Sequence, residues 1–179
     1  MAAWTSNTSR RVYAAWGGSG SDNIVYFSCF DGKAWDYPEA LAFIQTALSP
    51  SLACYDGEIM VSWKELASDK LYRMLYNADG NPIMKEPHEL RWRGESGLIP
   101  ALAELDGVIY AAWKAKGDSR DLWHSSWSRG EQRFAPVRVI PDVPTRAAPS
   151  LARWRNGLAV GWVDEENEKS SLFKVGGRE

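Results

Sequence analysis

Pro100-Ala101-Leu102-Ala103-Glu104-Leu105-Asp106-Gly107-Val108-Ile109-Tyr110-Ala111-Ala112-Trp113 decides the fold, because the chain spells it again. Pro50-Ser51-Leu52-Ala53-Cys54-Tyr55-Asp56-Gly57-Glu58-Ile59-Met60-Val61-Ser62-Trp63 stands before it, and Pro149-Ser150-Leu151-Ala152-Arg153-Trp154-Arg155-Asn156-Gly157-Leu158-Ala159-Val160-Gly161-Trp162 after it. A worn copy runs from Ala2-Ala3-Trp4 through Val12-Tyr13-Ala14-Ala15-Trp16. The closing tryptophans Trp16, Trp63, Trp113 and Trp162 are 47, 50 and 49 residues apart. A fixed period in that range marks a repeat architecture, here with repeats at 1–46, 47–97, 98–146 and 147–179.

Each repeat reads as strands. Val108 to Trp113 is a short run of β-branched, aromatic and small residues behind Asp106-Gly107, a pair suited to a tight hairpin. Asp56-Gly57 and Asn156-Gly157 are read as the matching pairs, while Thr8-Ser9-Arg10-Arg11 predicts a looser first hairpin. Polar loops follow each anchor Trp, and third strands are expected from Asn23-Ile24-Val25-Tyr26, Lys70-Leu71-Tyr72, Asp121-Leu122-Trp123 and Ser171-Leu172-Phe173. Second turns are read at Asp31-Gly32, Asp79-Gly80 and Arg129-Gly130. Fourth strands run from Trp35 toward Phe43-Ile44, near Ile83 to Leu90, and from Phe134 toward Val139-Ile140. Pro38 and Pro136 suit an outer strand, since proline cannot donate to an internal ladder. Glu39 to Leu48, rich in Ala and Leu, admits a helix, but its place in the repeat calls for a strand and a crossover.

Four antiparallel strands in each unit of this length form the blade of a β-propeller. The expectation is therefore a single all-β propeller domain over 1–179, of about four blades, with the last short of its fourth strand. Trp16, Trp63, Trp113 and Trp162 are expected to be structural, each packed between neighbouring blades. An incomplete last blade leaves an edge near Phe173 to Val175, which points to a partial propeller or to closure through a homo-oligomer.

A net charge of −2, with Lys and Arg scattered, gives no electrostatic footprint for nucleic acid. No apolar run approaches a membrane helix, and the opening residues lack the basic and apolar regions of a signal peptide. Cys29 and Cys54 read as buried small hydrophobes, and no Cys/His spacing suggests a metal, so neither metal nor cofactor is expected.

Pro-x-Leu-Ala, Asp-Gly-x-x-Tyr-x-x-Trp and the later Ser-x-x-Asp-Gly-x-x-Trp are similar to the blades of bacterial and fungal β-propeller lectins, and more distantly to sialidase repeats. Ser28-Cys29-Phe30-Asp31-Gly32-Lys33-Ala34-Trp35 resembles the sialidase Asp-box, a turn whose Asp binds its own backbone and whose Trp packs beneath it, although the spacing departs from SxDxGxxW. Asn77-Ala78-Asp79-Gly80 lacks the Trp, and Ser126-Trp127-Ser128-Arg129-Gly130 lacks the Asp. The resemblance implies sugar binding in recesses between blades or on a blade face, with glycans or glycoconjugates as partners.

Independently, a sugar offers C–H groups that lie on an aromatic face and hydroxyls that want Asp, Asn or Arg. Candidate platforms are Trp35, Trp92, Trp123 and Trp127, which stand off the repeated anchor position. Trp123 can equally fill the slot held by Tyr26, Tyr72 and Phe173. Candidate polar partners are Asp22, Asn23, Asp69, Arg120 and Asp121. An enzyme is not expected. A sialidase needs an arginine cluster, a Tyr/Glu pair and an Asp across more blades, and a glycosidase needs two converging carboxylates. Asp164-Glu165-Glu166 and Glu168 read as a solvated loop, His88 and His124 belong to no motif, and Gly17-Gly18-Ser19-Gly20-Ser21 is neither a nucleophile elbow nor a phosphate loop. Asn7-Thr8-Ser9 fits a glycosylation acceptor. Against the lectin reading stand a non-catalytic scaffold or propeller fragment, and a glycoside hydrolase remnant.

Overall fold

The computed structural model describes residues 2–3, 11–19, 21–46, 48–68, 70–90, 98–130, 133–164 and 169–175, leaving aside the side chains of 2, 3, 42, 43, 164 and 169–175. The described residues form strands, turns and loops, with no helix among them. The chain divides into two compact units, Met1–Leu90 and Arg91–Glu179.

In the first unit, β1 (Ala2–Ala3), β2 (Val12–Gly17), β3 (Ile24–Phe30) and β4 (Glu39–Gln45) form one antiparallel sheet in chain order. β5 (Ser51–Tyr55), β6 (Glu58–Lys64), β7 (Leu71–Asn77) and β8 (His88–Glu89) form a second. In the second unit, β9 (Ala101–Leu105), β10 (Val108–Lys114) and β11 (Leu122–Ser128) are joined by β12 (Arg133–Phe134) and β13 (Arg138–Ile140), both on β11. Pro136 falls in the gap between those two short strands, as its missing N–H requires. β14 (Ser150–Trp154), β15 (Gly157–Asp164) and β16 (Lys169–Val175) make a last sheet of three strands.

Local chemistry sets the hairpins. Asp56 and Gly57 have φ of 49° and 77°, and Asp106 and Gly107 have φ of 50° and 80°, the double left-handed geometry of the two-residue turn that matches strand twist. The last sheet departs from the expected pair. Trp154 pairs with Gly157, so Arg155 and Asn156 are the turn residues, with Arg155 at φ 53°, and the glycine begins the next strand. In the first sheet Ala3 pairs with Val12. Thr8-Ser9-Arg10 and the triplet Asn7-Thr8-Ser9 lie outside the described residues, as do Glu165, Glu166 and Glu168.

Glu39 to Gln45 is a strand, and its helix-like pattern has a cause. The β3–β4 ladder shifts between Tyr26↔Ala40 and Ile24↔Gln45, and this bulge lets Leu41 and Ile44, three positions apart, both enter the core. The crossover beyond it is held by Thr46, whose N–H donates to Asn23 O at 3.0 Å and whose hydroxyl bonds both the carbonyl and the N–H of Leu48. Thr145 repeats the device with Arg120 O at 2.9 Å and with Ala147. Both threonines are buried, and each stands four residues before the proline that opens the next repeat.

Strand alternation assigns the faces. In the first unit Tyr13, Val25, Phe27 and Cys29 of the first sheet meet Leu52, Cys54, Ile59, Val61, Trp63, Met74 and Tyr76 of the second in one core. Both cysteines are buried and free, and burial pushes the Cys54 thiol up to about 12, so they act as small hydrophobes. In the second unit Trp162 and Val160 pack with Leu122 and Ile140, while Leu158 packs with Ala103 and Leu105. In both units the later sheet's anchor indole reaches into the sheet before it.

Trp63, Trp113 and Trp162 are buried, but Trp16 is 38% exposed. The first sheet turns Tyr13, Val25 and Phe27 toward the second, so Val12, Ala14, Trp16, Tyr26 and Phe30 lie on its other face. Register is otherwise kept: Trp16 pairs with Tyr26, Trp63 with Tyr72 and Trp113 with Trp123. In the last sheet Trp162 pairs with Ser171, and Phe173 lies opposite Val160, so Phe173 is two positions from the slot expected for it. Trp63→Ala should cost roughly 3 to 5 kcal/mol, the usual range for emptying a buried Trp site. Trp16→Ala should cost well under half as much, and urea unfolding of the two variants, followed by far-UV circular dichroism, checks the contrast.

Candidate functional site

Three indoles stand open to solvent on described surfaces. Trp16 is one, stacked on Tyr26 with centroids 6.4 Å apart. Tyr26 in turn donates its phenol proton to Asp22 Oδ2 at 2.9 Å, a bond that raises the phenol's pKa. Trp35 is 48% exposed and leans on Phe30 at 5.4 Å, at the turn end of the same sheet. Trp154 is 54% exposed at the tip of the β14–β15 hairpin, with the Arg155 guanidinium 5.8 Å from its ring.

Trp35 is positioned by its turn. Asp31 Oδ1 accepts the N–H groups of Lys33 at 2.7 Å and Ala34 at 2.9 Å, while Ser28 Oγ donates to Asp36 O at 2.8 Å. The Ala34 N–H first and the Lys33 N–H second hold the Asp31 carboxyl below its ordinary range. In the third sheet Ser125, register-equivalent to Ser28, donates to Ala135 O at 2.7 Å. In the second sheet the stapling residue is Asn77, whose Oδ1 accepts the N–H groups of Asp79 at 3.0 Å and Asn81 at 2.9 Å. Asn77, not Asp79, is therefore the counterpart of Asp31, because an amide oxygen accepts the same two donors.

The other expected site residues separate. Trp127 pairs with Ile109 and is buried in the strand slot that Phe30 and Tyr76 occupy, which leaves it no open face to offer a ligand. Trp123 is half-buried in the slot of Tyr26 and Tyr72, and its indole N–H meets no acceptor among the described residues. Trp92 and Asp69 lie outside the described residues. Asp22 accepts Ile24 N–H at 3.0 Å as well as Tyr26, Asn23 Nδ2 donates to Ser21 O at 3.3 Å, and Asp121 accepts Ser119 Oγ at 2.9 Å. Asn23 and Arg120 also lend their carbonyls to the two crossover threonines. These polar residues shape their own loops.

The two histidines each face an arginine across a ladder, Arg73 with His88 and His124 with Arg138. Burial, then the Arg138 charge, lowers the His124 pKa, so its neutral form is favoured. Arg73 is buried beside Met84, with Nη1 3.6 Å from Sδ. Arg153 ties the last sheet to the β9–β10 hairpin through Glu104 at 3.5 Å and Asp106 at 3.3 Å.

Open Trp16 and Trp154 were not among the expected platforms. The signal for Trp154 is its place off the period, where other repeats carry Tyr55 and Leu105. For Trp16 it is the divergence of the first repeat. Neither Thr46 nor Thr145 was singled out, although both precede a proline by the same four positions.

No protein-family model matches the sequence, and no curated protein sequence matches it. Among solved structures, a fucose lectin from Kordia zhangzhouensis in complex with methyl-fucoside is similar, with TM-score 0.53, 14% identity, and coverage of 79% of this chain and 97% of that one. The NanB sialidase from Streptococcus pneumoniae is similar too, with TM-score 0.51, 12% identity, and coverage of 84% of this chain and 28% of the sialidase. The likeness is one of fold. It joins the all-β antiparallel sheets to β-propeller neighbours, and the chain spans little more than a quarter of the sialidase's length.

The Asp31 turn yields a pH dependence. Because the folded-state pKa lies below the ordinary 3.8 of an unfolded chain's Asp, the carboxylate's contribution is present above that value and is lost as pH falls through the depressed folded value. Asp31→Asn keeps an acceptor for the two N–H groups but removes the titration. Its denaturation midpoint should fall less steeply than that of the unaltered chain between about pH 5 and about pH 2, and parallel slopes would contradict this account.

Proposed function

We propose that the chain is a carbohydrate-binding module of the β-propeller kind, its sheets serving as blades and its glycan contacts made by aromatic rings at the turn ends. The observation that carries this reading is the pair of open indoles, Trp35 and Trp154, on a fold shared with a fucose lectin. Trp35 is set by the bonds of its turn, Trp154 sits at a hairpin tip beside Arg155, and both stand clear of the sheet cores. Such a ring offers a flat apolar face to the C–H patch of a pyranose at little entropic cost. Arg155 beside Trp154 supplies a donor for hydroxyl or carboxylate oxygens.

A binding role is favoured over hydrolysis by the state of the carboxylates. Asp31 and Asp22 are spent on backbone N–H groups and a phenol, and Asp121 on a serine hydroxyl, so these serve as structural acceptors, not as an acid and base facing one bond. A single exposed ring offers a sugar few contacts, so individual affinities of ~mM, made useful by engaging several sites on one glycan surface, are expected.

Titration with a panel of monosaccharides and methyl glycosides, methyl-fucoside included, should shift the Trp emission. Trp35→Ala and Trp154→Ala should each weaken a share of the response, and the double variant should remove most of it. A folded protein that answers no sugar in solution, and no glycan displayed multivalently on a surface, would refute the lectin reading.

A further inference from the structure

The first hairpins of the second, third and last sheets occupy one position of the repeat and differ in charge. The second sheet has Tyr55-Asp56-Gly57-Glu58 there and the third Glu104-Leu105-Asp106-Gly107, with acids and no base. The last has Arg153-Trp154-Arg155-Asn156-Gly157, and from Pro149 to Val163 the chain carries two arginines and no acid. Arg155 stands where the other hairpins have Asp56 and Asp106, and it keeps their left-handed backbone, with φ of 53° against 49° and 50°. Asp suits that conformation because its short side chain can bond the nearby backbone, whereas Arg adopts it without such help and at a cost in strain. Burial does not ask for Arg either, since Ala152 to Asn156 are all exposed.

The two arginines are used differently. Arg153 is spent on the hairpin of the third sheet, with Glu104 at 3.5 Å and Asp106 at 3.3 Å. Arg155 meets no carboxylate and donates no hydrogen bond among the described residues, where its partner is the Trp154 ring, 5.8 Å from guanidinium carbon to centroid. That is near the outer limit of a cation–π contact, about 6 Å, so the planar N–H fork is left for another acceptor. Across the hairpin Trp154 pairs with Gly157, and the next pair on that face is Ala152 with Ala159, so the indole has no bulky cross-strand neighbour. The ladder carries the second of these rows on to Lys174. The Trp35 turn has the opposite balance, since Asp31 and Asp36 there outnumber Lys33.

We propose that the tip of the last hairpin is the subsite for a saccharide bearing an anionic group, its ring laid on the Trp154 indole and its anion taken by the Arg155 guanidinium. This rests on the sugar-binding reading and adds to it the class of ligand. The recognised chemistry is a pair of anionic oxygens carried by a pyranose, as in a carboxylate or a sulfate ester, either of which matches the guanidinium fork. Contact with the indole is common to pyranoses, charged or neutral. Trp154 therefore supplies affinity and Arg155 supplies selectivity. At the Trp35 turn the excess of carboxylates disfavours the same ligand.

Methyl glucoside, methyl glucuronide and methyl glucoside 6-sulfate differ only in the group at the sixth carbon, and each is titrated into the full chain while NMR follows the Trp154 indole N–H. At low salt one acid or both should bind with a Kd roughly threefold to tenfold lower than that of the neutral glucoside. The acid that gains more identifies the anion. Trp154→Ala should weaken all three, read from the ligand's own resonances. Arg155→Asp restores the residue of the other hairpins, so the turn is kept, and it should bring the acids level with the glucoside or below it. Trp35→Ala should leave the ratio unchanged. Equal binding of the three by the unaltered chain overturns the proposal while the sugar-binding reading stands. A preference that persists in Arg155→Asp, or that Trp35→Ala removes, overturns it as well, because the anion is then held elsewhere. So does a Trp154 resonance that answers none of the three probes, whatever a panel of neutral sugars shows for the rest of the chain.

Discussion

An antiparallel sheet of four short strands has two faces, and in the sheets of the first unit one face of each is a row of apolar side chains. A single sheet therefore cannot be stable in water, and the constraint on everything else is that this face must find a cover. The solution is an indole from one sheet set into the apolar face of the sheet before it. Trp63, in a cluster against which Ala15 packs, and Trp162 with Leu122 and Ile140, are the two described instances. A Trp is large enough to fill the gap between twisted sheets. Polar contacts across the sheets are secondary. Arg153 to Glu104 and Asp106 is largely solvent-exposed, and such pairs contribute little.

Repetition made the strands legible. Turn pairs, anchor tryptophans and the short last sheet all follow from the period, and the structure places strands where the phrase recurs. Errors arose where one residue type can serve two roles. Gly157 drew the turn by one position because Asn-Gly is a strong hairpin pair, yet the ladder uses Arg155 and Asn156 and keeps the hairpin aligned with its siblings. The second turn does fall at Asp79-Gly80, with Gly80 at φ 79°, but the residue that staples it is Asn77. In the last sheet local propensity pointed one way, and the register shared with neighbouring strands decided otherwise.

The candidate site was less legible because exposure belongs to packing, not to spelling. Trp16 and Trp63 close the same phrase and stack on a tyrosine in the same geometry, but one is covered and the other is not. Trp127 stands in a polar-looking run, Ser125-Ser126-Trp127-Ser128, and is buried at the strand position that Phe30 and Tyr76 hold in the first two sheets. The loop residues Asn23 and Arg120 looked like ligand partners because they are polar and recur. Their recurrence comes from the carbonyls that hold Thr46 and Thr145.

Periodicity thus separates two kinds of tryptophan. A position that recurs in every repeat answers a demand that every sheet shares, namely cover for an apolar face. Trp154 stands where other repeats have Tyr55 and Leu105, and the second sheet's turn has no ring matching Trp35, so neither is required by the common packing scheme. Each remains about half exposed to water, where that part of the indole gains nothing from burial. Exposed aromatic surface without a packing role gains its energy only when something else covers it.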